Sequence, residues 1–132
     1  MTHIPVTLFT SAVLGILCAV LSILVTVARA KAKVMIGDGG GAAGTEGLLH
    51  AVRAHGNFIE HVPIALILLG GIEVSGASRL TCEVFAAVLI LARLMHAAGM
   101  HRPAPNVLRA GGAMLTWAIL LGLGVEALLL VV

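Results

Sequence analysis

The sequence predicts an all-α integral membrane protein, a four-transmembrane-helix bundle, and three observations predict it. Of its 132 residues, 60% are hydrophobic and only 11% are charged, with a mean hydropathy of +1.12. Soluble domains carry about 25% charged residues, so a water-facing surface could not be covered here. Apolar stretches recur with charges gathered between them, and the length holds four spans of roughly 20 residues with short connections. The charges are also divided unevenly among those connections, as a fixed membrane topology requires. Residues 1–132 therefore read as a single domain, and the modest net charge of +2 offers no footing for a nucleic-acid partner.

The first span is expected over about residues 4–28, where no charge occurs and Pro5 is tolerated in the first turn. It is too long for a signal peptide, whose apolar core has about 7–15 residues behind a basic start. The basic run Arg29, Lys31, Lys33 marks its boundary. Ile36 to Gly44 is a loop by composition, a flexible connector or a lid over a neighbouring site. It lacks the Gly-Lys-Ser/Thr ending of a phosphate-binding loop.

The second helix is expected over about residues 45–74, and it carries the polar stripe around which the chain is organised. At about 100° per residue, Arg53, Asn57 and Glu60 fall on one face. Only Val62 to Ile72 is free of polar side chains, so Glu60 lies within the hydrocarbon. An ionisable group there costs roughly 2.5–3.5 kcal/mol on insertion scales and faces a partner or a cavity. Pro63 removes one helical hydrogen bond, and a kink there would open a pocket beside Asn57 and Glu60.

The third span is expected over about residues 80–100, with Arg93 roughly 10 Å from its end and His96 one turn further on. Pro103 and Pro105 break the chain before the fourth span, about residues 107–130, which carries Arg109 in its first turn. Arg29, Lys31, Lys33, Arg53, Arg102 and Arg109 then share one side of the membrane, against Arg79 on the other. The positive-inside rule puts the basic side in the cytoplasm and both termini in the periplasm.

Arg53, Asn57 and Glu60 with Arg93, His96, Arg109, Arg29 and Lys31 would form a cationic pocket holding one acid and one amide. Guanidinium groups hold carboxylates and a glutamate holds an ammonium, so a small polyanion carrying an amine fits. A lipophilic molecule could enter from the bilayer. Plainer roles compete: Glu60 and Arg93 could be a buried ion pair, Lys31 and Lys33 topology determinants, and Arg102 a lipid-phosphate contact. Cys18 and Cys82 lie at different depths and read as free thiols. No metal-binding histidine spacing occurs, so no metal is expected.

The stretch "RAHGNFIEHVP" resembles the helix 2 pattern of the membrane-associated proteins in eicosanoid and glutathione metabolism (MAPEG), Arg-x-x-x-Asn-x-x-Glu followed by Pro. Arg53, Asn57, Glu60 and Pro63 carry it. "GDGG" and "ARLMHAAGMH" resemble the small bacterial inner-membrane branch. The resemblance implies a homotrimer binding glutathione between subunits near the cytoplasmic face. By position, Arg53, Asn57 and Glu60 would hold the glutathione, Arg29 or Lys31 of a neighbour would reach it, and Arg109 would stabilise the thiolate. Family enzymes also use tyrosines in helices 3 and 4, and this chain has none. His96 and Met100 stand at the helix 3 positions; His96 can donate a hydrogen bond and Met100 cannot.

The expected function is a membrane-embedded glutathione-dependent transferase or peroxidase acting on lipophilic electrophiles, with Arg109 and His96 as catalytic candidates. The alternative is a non-catalytic glutathione- or lipid-binding protein of the same fold. A small proton-coupled exporter fits less well, because the polar stripe turns apolar beyond Glu60.

Overall fold

The computed structural model describes residues 3–132, and its order is four helices: α1 (Pro5–Ala32), α2 (Glu46–Val74), α3 (Arg79–Met100) and α4 (Val107–Val131). All four are long and apolar enough to cross a membrane. The spans stand where the apolar runs put them, with one correction of substance. α1 does not stop at residue 28 but continues through Arg29 and Lys31 to Ala32. The charge cluster ends the apolar stretch without ending the helix, because cations in a last turn suit the helix dipole. Lys33 ends it in the left-handed region (φ 54°), and the Val34 N–H donates to the Arg29 carbonyl.

α1 packs on α2 and α3, α3 packs on α4, and α1 and α4 do not touch. The core is narrow. Leu14, Leu21, Phe58, Ala65, Leu69, Leu89 and Leu123 are buried, while Leu8, Ile16, Ile67 and Leu121 point outward, as lipid-facing positions do.

α3 and α4 approach closely because glycine lines their contact. A Cβ at Gly112 would lie 2.6 Å from the Ala92 carbonyl oxygen and from the His96 nitrogen, and one at Gly99 would overlap the Arg109 backbone. Small residues at a membrane helix contact let backbones meet, where packing rather than water exclusion drives association.

At the opposite end Glu73 serves a purpose that its place near the second turn does not advertise. Its carboxylate accepts the Val6 N–H (2.9 Å), the Thr7 N–H (2.8 Å) and the Thr7 hydroxyl (2.6 Å). The first-turn N–H groups of α1 have no intrahelical partner, and near a membrane they need one. Glu73 thus caps α1 from the end of α2.

α2 is helical through Pro63, as its expected span over residues 45–74 requires. Space beside Asn57 opens between the end of α3 and the start of α4.

Candidate functional site

Asn57 lies at the edge of the buried face of α2, and the helix periodicity assigns its neighbours on the stripe different fates. Counting at about 100° per residue, Arg53 and Glu60 are both rotated some 40–60° from Asn57, in the same sense and away from the core. Asn57 is half-buried; Arg53 and Glu60 are exposed on the protomer. The stripe is therefore split between an inward amide and an outward charge pair.

Arg93 is 1% exposed and is held without a carboxylate. Its Nη1 donates to Asn57 Oδ1 (3.0 Å) and to Thr116 Oγ1 (3.4 Å). The guanidinium lies over the Phe58 ring, 5.3 Å from its centroid, a cation–π contact. Thr116 in turn donates to the Gly112 carbonyl (2.7 Å), which fixes its hydroxyl. A buried ion pair between Arg93 and Glu60 is not formed. The physical reason is rotation: the residue of α2 aimed at Arg93 is Asn57.

Beside this cluster Asn57, His96 and Arg109 line one open groove of about 500 Å³, walled by Ala104, Pro105, Asn106, Ala110 and Ala113. α2, α3 and α4 each contribute one polar side chain. His96 is buried, and its Nδ1 has no hydrogen-bond partner among the described residues; neither has Nε of Arg93.

Asn106 sets the groove's edge. Its Oδ1 accepts the Arg109 N–H (2.9 Å), the N-cap bond of α4, while its Nδ2 donates to the carbonyls of Gly99 (3.0 Å) and Pro103 (3.2 Å). One side chain thereby ties the start of α4 to the end of α3 and places Arg109 beside His96. A cation, an imidazole and an amide around an open volume can hold a small anion and stabilise negative charge on it.

The other expected contacts are elsewhere in the protomer. Arg29 donates to the carbonyls of Gly37 (2.5 Å) and Met35 (3.5 Å), tying the glycine-rich loop to α1. Lys31 lines a separate groove between α1 and α2 with Gly47, Leu48, Ala51 and His101. Within one protomer, then, the fold gathers Asn57, His96 and Arg109 with Arg93 behind them, and leaves Arg53, Glu60, Arg29 and Lys31 outside the groove. Thr116 and Asn106 are the residues that sequence reasoning passed over. Asn106 carried a signal, an N-cap residue type immediately before an apolar run. Thr116 carried only its hydroxyl within an apolar segment.

The pattern of the MAPEG family matches residues 7–129. The chain is 37% identical over 93 residues to the inner membrane protein YecN of Escherichia coli K12, which covers 70% of this chain and 67% of that protein. YecN of E. coli O6:H1 matches to the same extent. No solved structure gives a significant match.

Proposed function

The chain belongs to the MAPEG family, and on that premise we propose that it is a glutathione-dependent transferase of the inner membrane, with peroxidase capacity toward lipophilic substrates. The single observation that carries the reading is the groove in which Asn57, His96 and Arg109 converge from three helices. A free thiol has a pKa near 8.5, and a guanidinium close by lowers such a value by about 1–3 units. Arg109 is the residue for that role, with His96 as a second hydrogen-bond donor. The thiolate then attacks an electrophilic carbon, expelling the leaving group, or a hydroperoxide oxygen, breaking the O–O bond.

The working unit in this proposal is a homotrimer. Arg53 and Glu60 face out of the protomer, and among the described residues neither has a hydrogen-bonded or ion-pair partner. A charge at membrane depth needs one. A neighbouring copy that brought the Arg29–Lys31 end of α1 against this face would close a glutathione site from both sides. The basic connections lie in the cytoplasm and both termini in the periplasm, so the site opens where cytoplasmic glutathione can reach it.

Calorimetric titration of glutathione into the detergent-purified oligomer, beside Arg53→Ala, tests the reading. Binding that the substitution weakens supports it, and a folded oligomer that binds no glutathione overturns it.

One observation favours the non-catalytic alternative. Met100, at the position where family enzymes carry a helix 3 tyrosine, is buried at 3% exposure and supplies no hydroxyl. Glutathione binding with no turnover across a panel of electrophiles and hydroperoxides would select that alternative.

A further inference from the structure

A cavity of about 600 Å³ is remote from the groove described above and lies between α1 and α3 at the end opposite Arg109. Its lining is amphiphilic in a particular order. Arg79 and Glu83 stand at its mouth, and Phe9, Ala87, Ile90 and Leu94 line its apolar length. From Arg79 to Leu94 the helix advances roughly 22 Å, more than the roughly 15 Å of one leaflet's hydrocarbon. The space exists because Ala86 and Ala87 present only methyl groups where α3 faces α1, and α4 does not reach α1 to fill it.

The mouth has unused bonding capacity of both signs. Arg79 Nε donates to Glu83 Oε1 at 2.7 Å, and among the described residues this is the only hydrogen bond that either side chain makes. A guanidinium has five N–H donors and a carboxylate two acceptor oxygens. Four N–H groups of Arg79 and Oε2 of Glu83 therefore remain open, side by side at the start of α3, where the two side chains are 81% and 47% exposed. A phosphodiester bonds to guanidinium N–H groups in a forked geometry, and a primary ammonium donates to a carboxylate.

We propose that this groove is a binding site for a zwitterionic aminophospholipid: the phosphodiester on Arg79, the primary ammonium on Glu83, and one acyl chain along Phe9, Ala87, Ile90 and Leu94. The site is independent of the glutathione reading. Its charge pattern selects among lipids. A trimethylated headgroup has no N–H for Glu83, and a glycerol headgroup brings no cation at all.

The test is native mass spectrometry of the intact oligomer in detergent, supplied with equal amounts of phospholipids bearing ethanolamine, choline and glycerol headgroups on identical chains. Retention of the ethanolamine lipid about tenfold above the other two, the worth of one charge-assisted hydrogen bond, is the expected result. In Glu83→Gln the preference over the choline lipid falls to parity. In Arg79→Gln retention of all three falls, and Ala87→Trp, which fills the groove, removes it.

Equal retention of the three lipids by the unaltered protein overturns the proposal without any variant having to fold. So does efficient cross-linking between copies through Leu91→Cys, a position on the groove's lining, in a background lacking Cys18 and Cys82, because the groove would then be a contact between subunits.

Discussion

Asn57 and Arg53 are one helical turn apart, and the fold gives them separate work. Asn57 Oδ1 accepts from a buried guanidinium, so removing it strands a charged donor. An unsatisfied buried donor costs about 1–3 kcal/mol, more when it is charged. Asn57→Ala should therefore lower the thermal unfolding midpoint of the detergent-solubilised protein, while Arg53→Ala, at an exposed position, should barely move it. A similar shift in both variants would remove the distinction between an inward amide and an outward charge. Arg109 makes a prediction about chemistry. Its side chain lines the groove, whereas the backbone N–H that anchors α4 on Asn106 survives any substitution of that side chain. Arg109→Ala should cut glutathione-dependent turnover about 10- to 100-fold, as loss of a guanidinium beside the thiol implies, with a smaller change in glutathione affinity. Ultraviolet absorbance of the bound thiolate should fall in parallel. Equal losses in turnover and binding would leave Arg109 as a binding group only.

Among the elements, α1 depends on α2 for its beginning. Glu73 accepts two backbone N–H groups and one hydroxyl at the first turn of α1. Hydrogen bonds to charged groups are worth about 1.5–3 kcal/mol, and several from one carboxylate are not additive. Glu73→Ala should destabilise the protein by about 2–3 kcal/mol in a denaturant titration, and Glu73→Gln by less, because the amide oxygen still accepts. A change below measurement would mean that water or lipid headgroups cap α1 equally well. α3 and α4 depend on glycine. A Cβ at Gly112 would sit 2.6 Å from two backbone atoms of α3, and overpacking of that kind costs about 1–3 kcal/mol. Gly112→Val should separate the helices and weaken ligand binding in the groove while helical content stays the same by circular dichroism. The sequence placed these helices to within a few residues, since apolar length is a local property. It did not reveal the end of α1, where Arg29 and Lys31 continue a helix past its apolar stretch.

For the whole molecule, the central issue is that part of the polar stripe faces outward. Arg53 and Glu60 are exposed on a chain whose four helices can all cross a membrane. The proposed trimer predicts an oligomer mass of three chains in mild detergent, and Glu60→Leu should weaken glutathione binding without lowering stability, since the uncapped charge is removed. A monomer that binds glutathione at full strength would refute the shared site. The proposed orientation predicts that Lys33→Cys, in a background lacking Cys18 and Cys82, is labelled by an externally added impermeant thiol reagent only after the membrane is permeabilised.

Composition and periodicity by themselves determined the class and the number and positions of the spans, and the residue order of the helix 2 stripe carried the resemblance to the family. Each is set by residues close in sequence, through hydropathy and a fixed rotation per residue. Tertiary structure decided the partners. A stripe read from one helix cannot say which of its members meets a neighbour: a rotation of about 60° separates Asn57, which reaches Arg93, from Glu60, which does not. Likewise Glu73 became a cap and Asn106 a clamp only because the helix packing brings residues 66 and 67 positions away, or 7 positions away, within hydrogen-bond reach. Those distances are set by how glycine and alanine let the helices approach, and no single segment of the chain contains that information.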